Sequence, residues 1–211
     1  MAVVPRYISQ DHVHAAAVKA LGDNWTAYVG GAGLLAADPF RPTASLPAAP
    51  TTFGGPDSAF PTDGDIYHIE PVDGRHTWDV PWVACYVAGE VESGEGLSSS
   101  EDLVDVDVEV RCRFGLDTDN NAGRLAHPIF ASHAKWCVHA AMLIVQDKIG
   151  ATARALDATY AYGIVGPVAV GDILVDERPP DEGRTAGITH FEAIGTVTIR
   201  QTQYRGWETS G

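Results

Sequence analysis

The chain has 211 residues, of which 45% are hydrophobic and 20% charged. That composition excludes wholesale disorder, and the length is enough to bury a core without a metal or disulfide staple. Fourteen lysines and arginines face 28 aspartates and glutamates, for a formal net charge of −14, which argues against a DNA-reading or anionic-lipid-binding role.

Cys85, Cys112 and Cys137 cannot close into a disulfide set and all stand in apolar runs, so they read as buried free thiols of a reducing compartment. MAVVPRYISQDHVH has no continuous apolar core, and the longest apolar stretch, Ala140 to Val145, is far short of the about 20 residues a membrane span needs. The expectation is a soluble protein, intracellular when made.

The first predicted element is a short helix from Ser9 to about Leu21. Ser9 is the cap, Asp11 lies in the first turn and Gly22 is the stop; Val13, Ala17, Ala20 and Leu21 mark an apolar stripe. A short β-like piece, Trp25 to Val29, is expected next. Residues 31–64 then hold Pro39, Pro42, Pro47, Pro50, Pro56 and Pro61, which predicts a Pro/Gly-rich extended arm or loop. Leu34, Leu35, Phe40, Phe53 and Phe60 punctuate it. They either anchor the arm on a neighbouring surface or pin it to its own domain.

Val80 to Gly89 reads as a strand with two apolar faces, Val83, Cys85 and Val87 against Trp82, Ala84 and Tyr86, which suits a central or interface strand. A polar segment, Glu90 to Asp102, is expected as the long, mobile tip of a hairpin. The return strand is the clearest signal in the chain: Val104, Val106, Val108, Val110, Cys112 and Phe114 alternate with Asp105, Asp107, Glu109, Arg111 and Arg113, giving one core face and one charged face. A helix follows, with Pro128 in its first turn and Gly150 just past its end. Its stripe is Phe130, Ala134, Cys137, Val138, Ala141, Ile144, Val145 and Ile149, with Lys135, His139 and Gln146 opposite. Pro167, Pro179 and Pro180 divide the next region into short strands around Val168 to Val175, and a last strand runs from Ile188 to Tyr204. The order predicts a single α+β domain over 1–211, with a mostly antiparallel sheet and the long helix packed on one face.

Candidate chemistry is sparse. His12 and His14 diverge on a helix, as do His133 and His139. His133 and Cys137 share a face, but no elbow or third partner accompanies them. The run Asp117 to Asn121 opens like a calcium loop, yet Ala122 takes the turn-glycine position and Pro128 stands where the closing glutamate belongs. No catalytic, cofactor or metal residue is therefore assigned. The candidate functional face is Asp105, Asp107, Glu109, Arg111 and Arg113, read as a charged surface or subunit contact. The pattern as a whole fits a protein of assembly.

The segments HVHAAAVKALG, DVPWVACYVAG, EVESGEGLSSSED, LVDVDVEVRCRF, ASHAKWCVHAAMLIVQDKI and ITHFEAIGTVTIRQTQYRGW, in that order, resemble the tail terminator (tail completion) proteins of long-tailed bacteriophages and gene-transfer particles. The resemblance covers roughly residues 9–30 and 78–205 and rests on element order. It implies a ring, typically hexameric, in the tail-neck region of a virion assembled in the host cytoplasm. Its partners would be copies of itself, the tail tube protein and a neck or connector protein. DNA would pass through without specific binding, and neither cofactor nor membrane would be involved. Six copies at −14 each would carry about −84, and the face from Asp105 to Arg113 would border a neighbour or the channel. The alternatives are another head–tail connector, a tail tube subunit, or a small intracellular enzyme using His133 and Cys137.

Overall fold

A computed structural model describes residues 10–42, 46–47, 81–98, 101–117, 121–156, 164–178 and 188–204. Among these described residues two helices and five strands follow in the order α1 (Gln10–Val29), β1 (Trp82–Ser98), β2 (Glu101–Asp117), α2 (Asn121–Leu156), β3 (Ile164–Val170), β4 (Leu174–Arg178) and β5 (Ile188–Tyr204). All pairings are antiparallel. The sheet order is β1-β2-β5-β3, with β4 also on β5. This is an α+β fold with a long helix on the sheet.

The alternation of β2 determines the layers. Val104, Val106, Val108, Val110, Cys112 and Phe114 are buried with Ala193, Val197 and Ile199 of β5 against Ala134, Cys137, Val138, Ala141, Ile144, Val145 and Ile149 of α2. α2 comes very close at the sheet's centre. A Cβ on Gly195 would lie 2.3 Å from Met142 Sδ and 2.8 Å from Val138 Cγ1, so the crossing needs a residue without a side chain there. α1 adds Val13, Ala17, Val18, Leu21, Trp25 and Tyr28 to the same core.

Several boundaries differ from the sequence reading, each for a local reason. α1 does not stop at Gly22, and Trp25 to Val29 is helical, not β-like. Trp25, Tyr28 and Val29 continue the stripe of Leu21 at helical spacing, and burying them outweighs the roughly 1 kcal/mol that an internal glycine costs. α2 begins upstream of Pro128 and runs past Gly150. The proline removes one hydrogen bond to the carbonyl of Arg124, and Thr152 and Ala153 keep the buried stripe going beyond the glycine. In the polar segment expected as a mobile tip, the described residues 90–98 and 101–102 belong to strands: β1 reaches Ser98 with register shifts between Val87 and Gly89 and on both sides of Gly96, as bulges or irregularities that take up the extra residues. Among the described residues β1 pairs with β2 alone, which makes it an edge strand and not the central strand that was one of its two expected places.

α1 ends in a set of turns that closes its C-terminus. The Thr26 carbonyl accepts from Gly30 N at 2.9 Å, Ala27 from Leu34 N at 3.0 Å and Tyr28 from Leu35 N at 2.8 Å. Arg41 Nε donates to the Val29 carbonyl at 3.0 Å. All four last carbonyls, which a helix leaves without intrahelical partners, are thereby satisfied. Gly33 makes this possible, since a Cβ there would sit 2.6 Å from the Tyr28 oxygen. The beginning of the proline-rich region is thus pinned to its own domain. Trp25 Nε1 donates to Pro47 O at 2.9 Å, Trp136 Nε1 to Asp38 Oδ2 at 2.9 Å, and Leu35 and Leu46 pack on the core. Phe53, Phe60 and most of the expected arm lie outside the described residues, as do the Ser9 cap, Pro179 and Pro180.

Candidate functional site

The five residues singled out on β2 share the sheet face away from the core; β5 supplies partners to Asp105, Asp107, Arg111 and Arg113, and Glu109 is bound by Arg111 of β2 itself. Register places Asp105 opposite Arg200, Asp107 opposite Thr198, Glu109 opposite Thr196, Arg111 opposite Ile194 and Arg113 opposite Glu192. Arg200 makes a two-pronged contact with Asp105, Nε to Oδ1 at 2.8 Å and Nη2 to Oδ2 at 2.9 Å. That guanidinium holds the Asp105 carboxyl below its usual range. Thr198 Oγ1 donates to Asp107 Oδ1 at 2.7 Å. Arg111 binds Glu109 and reaches Glu192 Oε1 at 3.3 Å, and Arg113 Nε reaches Glu192 Oε2 at 3.1 Å while its Nη2 binds the same oxygen.

Glu192 is the residue that sequence reasoning missed. It is fully buried, a position a carboxylate takes only when its charge is compensated. The signal was available: in β5 the apolar positions are Phe191, Ala193, Val197 and Ile199, so Glu192 must share a face with Arg200, opposite the arginines of β2. Three carboxylates of this face, Asp105, Glu109 and Glu192, are thus paired with the guanidiniums of Arg200, Arg111 and Arg113, and Asp107 accepts from the Thr198 hydroxyl. Such cross-strand pairs fix register, because a one-residue slip would set each charge among valines.

The thiols and histidines fall elsewhere. Cys85, Cys112 and Cys137 are all buried and free. Burial pushes the Cys85 thiol up to about 12. It also raises Cys112 well above the ordinary thiol value, with the Cys137 thiol beside it contributing, so both are held as unreactive thiols. The His133 ring lies against Phe114 and Phe130, with centroids 6.1 and 6.0 Å away. Its Nδ1 is buried without a partner, and burial lowers its pKa. His14 Nε2 donates to the backbone carbonyl of Cys85 at 2.5 Å, so α1 supplies a partner to a backbone group of the edge strand β1. Asp117 ends β2 and Asn121 opens α2, with residues 118–120 outside the described ones. Among the described residues no three His, Cys, Asp or Glu side chains are grouped to hold a metal, and no helix is long and apolar enough to cross a membrane.

The sheet's other edge is finished differently. β3 and β4 lie end to end along β5, joined by Gly171, whose N–H donates to the Thr196 carbonyl at 2.8 Å. Among the described residues no strand pairs with their outer side. Val168, Val170, Leu174 and Val175 are 45%, 50%, 69% and 42% exposed. Two further large apolar side chains, Leu34 and Phe40, stand out at 76% and 72% on the turns after α1. No protein-family model and no curated protein matches the chain.

Proposed function

We propose that the chain is a structural subunit of a long-tailed phage-type particle, a tail terminator that forms a ring, caps the tail tube and joins it to the neck. The observation that carries this reading is the outer side of β3 and β4, where among the described residues no strand pairs and Val168, Val170, Leu174 and Val175 are exposed. Protein surfaces of this kind are usually contact sites. The element order, with an antiparallel sheet under one long helix, agrees with the resemblance read from the sequence.

The paired face of β2 and β5 supports a stiff wall. A ring that must keep one diameter around a tube gains from a sheet whose register is fixed on both faces. Copies at −14 each would repel passing DNA and keep it from adhering.

Removing the protein from particle-producing cells tests the reading. Tails of uncontrolled length and heads without tails are expected by electron microscopy. Tails of normal length lacking only their heads would point to a neck adaptor, and the absence of any tail to a tube subunit.

A further inference from the structure

We infer that Cys112 of β2 and Cys137 of α2 form a redox latch. They are two thiols in the reduced protein and, on oxidation by a small disulfide, a covalent bond that ties the long helix to the sheet. The inference stands on the core alone and is independent of the terminator reading.

Contacts on either side fix where the two residues meet. Phe114 stands two residues along β2 from Cys112, and His133 one turn along α2 from Cys137. Their rings lie against each other, with centroids 6.1 Å apart. In the other direction, Gly195, which pairs with Val110, approaches Val138, so that a Cβ on the glycine would lie 2.8 Å from Val138 Cγ1. Helix and strand therefore run past each other in opposite directions. They do so at matching rates, since two strand residues cover about 6.6 Å and four helical residues about 6 Å. Cys112 and Cys137 fall at one level between these contacts. Both belong to the core between the layers, and the Cys137 thiol lies beside that of Cys112.

The two elements are close enough there to be bridged. A disulfide spans Cα atoms roughly 4.4–6.8 Å apart, which demands a near approach of helix to sheet. Small residues supply it. Ala193 pairs with Cys112 and Gly195 with Val110 on the sheet, while Ala134 and Ala141 stand about one turn either side of Cys137 on the helix. Cys85 is equally buried but pairs with Val110. It thus lies on the diagonal from Cys112, where Cα atoms are about 7–8 Å apart and beyond disulfide reach.

While α2 stays seated, all three thiols are buried and the pair is inert. The exchange takes place in molecules whose helix has lifted. One thiol loses its proton, and its thiolate attacks a sulfur of oxidised glutathione, giving a mixed disulfide and one glutathione thiolate. The second protein thiolate then attacks the protein sulfur of the mixed disulfide. The Cys112–Cys137 bond forms and the second glutathione leaves. Two protein thiols are oxidised, one small disulfide is reduced to two thiols, and the two protons end on the departing thiolates. The latch is set by one opening of the helix and prevents the next.

Incubating the full native chain with millimolar oxidised glutathione, then denaturing and alkylating it, tests the inference. The expected product has an intact mass lower by two hydrogens, a single alkylated cysteine, Cys85, and a peptide joining Cys112 to Cys137. Its melting temperature should rise by roughly 5–10 °C, and amide exchange in α2 should slow; a reductant should reverse both. Cys85→Ala should oxidise as the wild type does. Cys112→Ala and Cys137→Ala should give no cross-link and no change in melting temperature on oxidation. Each variant is compared with itself before and after oxidation, and the wild-type peptide map carries the test even where a variant fails to fold.

Three alkylated cysteines after the native incubation, a cross-link through Cys85, or a cross-linked protein that melts no higher than the reduced one would each overturn the inference. None of these outcomes touches the terminator reading, which stands or falls on tail length and joining.

Discussion

The two edges of the sheet are built on opposite plans. At β1 the fold provides cover: α1 packs beside the strand, His14 donates to the Cys85 carbonyl, and Val83 and Cys85 are buried. At β3 and β4 none of the described residues covers the outer side, and Val168, Val170, Leu174 and Val175 are exposed. Proteins usually blunt an edge with a proline, a bulge, a charge or a covering helix. Among the described residues this edge has the proline and the register shifts, which discourage strand addition, while its aliphatic side chains stay exposed. One edge serves stability and the other is free to serve contact.

Mutations that separate those two roles test the contrast. The largest effect should come from the strand behind both edges. Val108→Asp places a carboxylate at a fully buried position under α2, an uncompensated charge costing several kcal/mol out of a typical 5–15. The protein should fail to give a cooperative melt, and a well-folded variant would overturn the facing of β2.

Glu192→Ala strips the buried partner from Arg111 and Arg113 and should cost about 3–5 kcal/mol, measured by urea denaturation. His14→Ala removes the donor from β1's edge and should cost about 1–3 kcal/mol while leaving self-association untouched. If association falls with stability, the two edges are not independent.

A smaller effect is pH-dependent. Burial depresses the folded pKa of His133 below its ordinary 6.5, so at mildly acidic pH the unfolded chain binds more protons than the folded one. Its contribution is fully present above about pH 6.5 and is lost as pH falls toward the folded value. His133→Leu should flatten that part of the curve of melting temperature against pH, and an unchanged slope would assign it to other groups. The smallest stability change belongs to the open edge. Leu174→Asp should shift stability by no more than about 0.5 kcal/mol.

What the sequence made legible follows the strength of local patterning. β2 alternates without a break, so its two faces and the charged set from Asp105 to Arg113 could be read directly, and β5 has the limits expected of it. Helix ends were harder, because Gly22 and Gly150 as stops and Pro128 as a start mark boundaries only when tertiary burial does not override them. The partners of the charged face were hidden for a different reason. Pairing Arg113 with Glu192 needs the β2–β5 register, which connects residues 79 positions apart. The exposed edge was out of reach as well: nothing in IVGPVAV or LVDER tells a buried strand from a bare one until the sheet order is known.

Negative-stain imaging of the concentrated pure protein is the most direct measurement of the account's central claim. Closed rings of one diameter, appearing as concentration rises, are the expected result. Open filaments that lengthen with concentration would contradict it, since the contact would then repeat without closing.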